Sequence, residues 1–84
     1  MTDKEKLIEN GYEDVVVFEN YSYDGALIGV TTNNIAVYDF NLMVKYLIEK
    51  EGFKDELEAV EWIEYNTIRA LPYYDNSPII INKI

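Results

Sequence analysis

The chain reads as an α+β fold: a small antiparallel sheet of three to four strands, including a hairpin over residues 26–38 and a C-terminal strand, packed against an antiparallel helix pair at about 40–51 and 56–71, with a short N-terminal helix. Three observations carry that reading. Runs of β-branched residues cluster before residue 39 and again at 79–81, apolar residues at three- and four-residue spacing fill 40–71, and Gly, Asn and Pro punctuate the joins. Eighty-four residues, 49% apolar and 14% aromatic, suffice for one core and are too rich for a disordered chain despite a net charge of −9. Residues 1–84 are therefore expected to form a single domain of modest stability.

Each element has a local reason. Thr2 with Glu5 three positions on, followed by Leu7, Ile8 and a stop at Gly11, is the punctuation of a short helix. Val15-Val16-Val17-Phe18 is a β-branched run bounded by Asn20 and is expected as a strand, followed by a turn-rich connector over 19–25. Residues 26–32 and 35–38 form two strands around Asn33-Asn34, since Asn tolerates the positive φ of a two-residue hairpin turn. Gly29 inside the first of these marks a bulge or a close approach of another element.

Asp39 or Asn41 caps a helix whose Phe40, Met43, Val44, Leu47 and Ile48 share one face, and Gly52 ends it. Asp55 and Glu58 form an acidic capping box for the next helix, which Pro72 stops. Its expected core face is Leu57, Val60, Ile63, Ile68 and Leu71, and the short turn over 52–55 places the two helices antiparallel. After the turn cluster at 73–78, Ile79-Ile80-Ile81 is a final strand that must pair with the sheet.

Composition narrows the function. The chain has no His and no Cys, and its 16 Asp and Glu stand against 7 Lys and Arg. Ser22 and Ser77 have no imidazole to activate them, Asp24-Gly25 lacks the alternating ligands of a calcium loop, and no phosphate-binding glycine motif occurs. No catalytic, cofactor-binding or metal residue is assigned, no cofactor is expected, and the chain is expected not to be an enzyme. Absence of Cys fits a reducing, cytoplasmic setting, and no apolar run suits a membrane. An acidic surface repels phosphate backbones, so the expected partner is a protein with a basic surface rather than nucleic acid or membrane.

The candidate partner-binding residues are Glu13, Asp14, Glu19, Tyr21, Tyr23, Asp24, Glu58, Glu61, Tyr73 and Tyr74. The carboxylates belong to two acidic runs, Glu9 to Asp24 and Glu49 to Glu61, whose plainer reading is solvated surface. Four of the eight tyrosines, Tyr21, Tyr23, Tyr73 and Tyr74, fall in irregular stretches, where they serve either as an interface or as lids on the core. Trp62 points away from the expected core face and is read as packed under another element.

Glu64 is the anomaly. It stands midway between Val60 and Ile68 in an apolar stripe, which predicts a buried, hydrogen-bonded carboxylate. With Asn66 and Arg69 it is expected to form a structural polar node; a general acid or a recognition anchor is the alternative. Arg69 follows Tyr65 by four residues, so its guanidinium can lie against that ring.

The stretches Tyr23 to Val30, Ala36 to Asp39 with Met43, and Ala59 to Tyr73 with Pro78-Ile79-Ile80, resemble a family of short uncharacterised proteins of Firmicutes and their phages and prophages. The resemblance covers residues 23 to 81 and carries over no site. It implies a mobile-element setting inside a bacterial host cell, in which small acidic proteins act as inhibitors of host defence, anti-CRISPR-like, by occupying a basic nucleic-acid channel as a DNA mimic. The competing expectation is a structural or regulatory interaction module, with a homodimer as one form, that binds through its Tyr-rich loops.

Overall fold

Local punctuation sets most element boundaries in the computed structural model, which describes residues 2–18 and 21–84. The first helix, α1 (Asp3–Glu9), opens on the expected capping box: Thr2 Oγ1 accepts the Glu5 N–H at 3.2 Å, and Glu5 Oε1 accepts the Thr2 N–H at 3.1 Å. The second, α2 (Phe40–Lys50), starts where the Asp39 side chain accepts the Leu42 N–H at 3.1 Å. The third, α3 (Glu56–Trp62), starts where Asp55 accepts the Glu58 N–H at 2.9 Å. It runs on into a π-helical segment, Ile63–Ile68, and closes in a 3₁₀ turn, Leu71–Tyr73, at Pro72. The helix expected over 56–71 is therefore present, with a widened middle.

The expected hairpin joins β1 (Leu27–Val30) to β2 (Ala36–Asp39), pairing Val30 with Ala36 and Gly29 with Val37. Its loop is one residue longer than the two-residue turn expected. Thr31 O accepts the Asn34 N–H at 2.9 Å, Thr31 N–H donates to Ile35 O at 2.8 Å, and Asn34 takes the left-handed φ of +63°. The register slips between Leu27 and Gly29, so the glycine marks a bulge; a Cβ there would meet nothing within 4 Å, which removes the close-approach alternative.

The C-terminal strand, β3 (Ile79–Ile81), joins the sheet as expected, but parallel to β2, setting Val37 opposite Ile79 and Asp39 opposite Ile81. The sheet is thus mixed, in the order β1-β2-β3. Residues 40–78 form the long crossover that a parallel connection requires.

Two expectations are corrected. Val15–Phe18 is not a strand: the segment joins neither edge of the sheet and instead inserts Val15 and Phe18 into the core, where aromatic contacts hold it. The Phe18 ring lies 4.8 Å from Tyr38 and 5.6 Å from Tyr23. The third helix, in turn, is rotated from the packing its apolar stripe suggests: of the expected face Ile63 is buried and Val60 and Leu71 pack against the core, but Leu57 and Ile68 do not. Ala59, Ile63 and Thr67 are buried, whereas Leu57 is 67% and Ile68 38% exposed. Thr67 Oγ1 meets the buried Tyr23 hydroxyl at 2.7 Å, and Trp62 packs 4.8 Å from Tyr21, contacts that fix the rotation. Glu64 is accordingly exposed rather than buried.

Candidate functional site

Asp55, Glu56, Glu58, Glu61 and Glu64 lie along one helical rod, all exposed. They occupy its N-cap and first turn, where the macrodipole favours negative charge, and the face turned from the core. The nearby ion pair is Lys45 with Glu49 at 3.8 Å, and among the described residues none of the five carboxylates has a cation of its own. Of the other acidic candidates, Glu13 and Asp14 are exposed in the turn after α1, a separate stretch of the chain, and Glu19 lies outside the described residues. Asp24 turns inward, where its Oδ1 accepts the Asp3 N–H at 3.0 Å.

The tyrosines divide unevenly. Tyr23 is a core residue, fully buried, and this corrects its assignment to a binding surface. Burial pushes its phenol up to about 12, partly opposed by the hydrogen bond from Thr67. Tyr21 is half-buried beside Trp62 and Phe53, with the Phe53 ring 6.1 Å away, and Tyr74 is half-buried at 6.3 Å from Phe18. Tyr73 alone of the four loop tyrosines is fully offered to solvent, at 88% exposure. Trp62 is packed, as its position away from the stripe suggests.

The polar node expected from Glu64, Asn66 and Arg69 does not assemble. All three are exposed: Asn66 Nδ2 donates to Trp62 O at 3.0 Å, and the Arg69 guanidinium lies 5.5 Å from the centre of the Tyr65 ring, the contact its spacing predicts. Their neighbour Thr67 is the buried polar residue instead. Its signal was the line Ala59, Ile63, Thr67 at four-residue intervals, small or β-branched throughout and free of charge.

Two open grooves flank the exposed stripe. One, of about 400 Å³, runs between α2 and α3 past Val44, Glu49, Glu56 and Val60. The other, of about 490 Å³, lies between the π segment and β3 and is lined by Glu64, Ile68, Leu71, Ile79 and Ile80. Phe40 contributes to both. The stripe Val60, Glu64, Ile68, Leu71 therefore runs along the grooves, with half-buried Val60 and Leu71 packed at the margin of the core and Glu64 and Ile68 exposed. Phe40 and Ile79 were not foreseen as surface residues. A signal existed in Ile79-Ile80-Ile81, which is apolar on both faces of a strand and so leaves one face wanting cover.

Sequence reasoning also missed Asp3, which is 2% exposed. Its Oδ2 accepts the Gly25 N–H at 2.9 Å and the Leu27 N–H at 3.2 Å, tying α1 to the start of β1. Burial raises its carboxyl above the usual carboxylate range; the two backbone donors oppose this and the charge of Asp24 adds to it. Burial also holds the Tyr38 phenol well above its ordinary value, with the Asp3 charge adding to the rise. Asp3 Oδ1 and Tyr38 OH are both buried without a hydrogen-bond partner among the described residues.

Among the described residues no group of three or more Asp and Glu could hold a metal ion, and no helix is long and apolar enough to cross a membrane. Compared with protein-family models, curated proteins and solved structures, the chain matches none.

Proposed function

We propose that the chain is a non-enzymatic, acidic protein-binding module that occupies a basic, nucleic-acid-binding surface of its partner by charge mimicry, as a phage-type, anti-CRISPR-like inhibitor of host defence. The observation that supports it is the row of exposed carboxylates from Asp55 to Glu64, held on one rod and, among the described residues, paired with no cation. Fixed negative charge of this kind suits a groove that binds phosphates, where long-range attraction speeds encounter. The host-defence setting comes from the resemblance to phage and prophage proteins and assigns no residue. Binding through Tyr-rich loops, as a homodimer or with another protein, has less support, because Tyr21, Tyr23 and Tyr74 are engaged in the core.

The reading is tested by capture from nuclease-treated bacterial lysate at rising salt, followed by competition with duplex DNA. Retention of a DNA-binding protein should fall steeply between low and moderate salt, as charges separated by more than about 10 Å become screened at 0.1 M. Added duplex should displace it, and Glu58→Lys with Glu61→Lys should abolish capture in a chain that still folds. A partner held equally well at all salt concentrations and indifferent to DNA sinks the proposal.

A further inference from the structure

Apart from Glu64, the groove beside β3 and the outer edge of that strand play no part in charge mimicry. Because β2 is central, β3 is paired on one side only. Among the described residues nothing hydrogen-bonds to the outer side of Ile79–Ile81. Such an edge is a template for another strand, and proteins that do not use it blunt it with charge, a bulge or a covering element. β3 contains three isoleucines and no charge, with Ile79 42% exposed. So short a strand offers few backbone bonds, and side chains must supply the remainder of any contact. The adjoining groove provides for them: Phe40, Ile68, Leu71 and Ile80 make it apolar, and Glu64 is its single charged residue.

We propose that this edge and groove receive an extended segment of a partner protein, added beside β3 as a fourth strand, with apolar side chains at alternate positions turned into the groove and a Lys or Arg set against Glu64. The occupant is extended because a strand satisfies the free backbone of β3, and alternating because side chains on one face of a strand recur every second residue. It is cationic at one position because Glu64 has no cation among the described residues and stands among apolar neighbours. A second copy of the chain fits poorly, since it brings a further net charge of −9 to the same place. The inference rests on the reading of the chain as a protein-binding module, but not on charge mimicry.

The test selects phage-displayed random peptides against the immobilised full chain, then maps the synthetic winners by amide chemical shift and hydrogen exchange. Winners should alternate apolar residues with a Lys or Arg in fixed register and should slow exchange at Ile79–Ile81. Ile68→Asp and Ile79→Lys should each weaken binding roughly tenfold or more, as for a central apolar contact. Glu64→Gln should weaken it roughly two- to fivefold, as for a partly exposed ion pair. Ile79 lies on β3 and Glu64 and Ile68 on the π segment, so if one variant fails to fold by its amide spectrum the others still decide. The proposal is overturned by a library that yields no winners, by winners without alternation, by shifts that bypass β3 and the groove, or by sedimentation showing that β3 closes a dimer of the free chain. Peptide binding at β3 in a chain that fails the salt and DNA competition keeps the docking edge and removes charge mimicry; the reverse pattern removes the edge alone.

Discussion

Along β1 the outer edge of the sheet is pinned at its start and broken by a bulge, and along β3 it is regular and open. The Leu27 N–H, at the start of β1, is taken by the buried carboxylate of Asp3, and the strand bulges at Gly29, while Leu7 and Tyr12 face Leu27 and Ile28 across an open groove of about 290 Å³. Charge and bulges are among the devices that keep an edge from recruiting another strand, and β1 has both. β3 keeps a regular register with β2 and has only its shortness. The contrast separates labour within a small domain: the N-terminal segment pins one edge of the sheet, and the other is left for contact.

If that division holds, substitutions on the pinned side should cost stability and substitutions on the open side should not. The largest effect is expected at Phe18, whose ring touches Tyr23, Tyr38 and Tyr74; Phe18→Ala should lose about 3–5 kcal/mol in urea denaturation. A loss under about 1 kcal/mol would mean that residues 15–18 are only laid against the core.

Asp3→Ala comes next, at about 1–3 kcal/mol, because two backbone donors lose their acceptor. Asp3→Asn keeps an oxygen and removes the buried charge, so at neutral pH it should equal or exceed the wild type. The pH dependence has a definite sign. A carboxyl raised above 3.8 in the folded chain contributes stability that is fully present below 3.8 and is lost as pH rises through the folded value, so the wild type should gain on Asp3→Asn as pH falls. A difference that stays flat with pH would show that Asp3 is hydrated.

Thr67→Val strands the Tyr23 hydroxyl and should cost about 1–3 kcal/mol, whereas adding Tyr23→Phe should recover most of it, since removing both partners leaves nothing unpaired. Alkaline titration sharpens the same point. Tyr23 stabilises the fold below its unfolded value of 10.0 and loses that contribution as pH rises toward about 12, so Tyr23→Phe should flatten the alkaline limb. The smallest effect is expected at Ile79→Lys, within about 0.5 kcal/mol of wild type, as for a surface position. A loss as large as that of Phe18→Ala would show that the β3 edge is architecture as well.

What the sequence revealed was set by neighbours in the chain. The capping of α1, α2 and α3 by Thr2, Asp39 and Asp55, the hairpin around Asn33-Asn34, the Gly29 bulge and the Arg69–Tyr65 contact all depend on residues a few positions apart. The errors lie where a distant partner decides. Val15–Phe18 has strand composition, but Tyr23, Tyr38 and Tyr74 take the Phe18 ring into the core and the segment joins no sheet edge. The stripe around Glu64 is a genuine helical face, yet Tyr23 and Tyr21, some forty residues earlier in the chain, select the adjacent face for burial. Of the candidate site, the α3 carboxylates were legible from composition. The β3 groove was not, because a sequence shows which residues share a face but not whether anything covers it.

Between Ile63 and Ile68 the helix is wound with the wider i→i+5 bonds of a π turn, and Asn66 reaches back to Trp62 O as this segment begins. In effect the helix holds one spare residue. Deleting exposed Tyr65 or Asn66 should let the turn tighten to ordinary α geometry while both flanks keep their places, Ile63 in the core and Leu71 in the groove. Deleting a residue from α3 itself has no such slack to absorb it and would swing everything beyond by about 100°. Chain length is therefore forgiving at one point along this rod and acts elsewhere as a rotational setting, so natural variation in the length of the third helix should concentrate between Ile63 and Ile68.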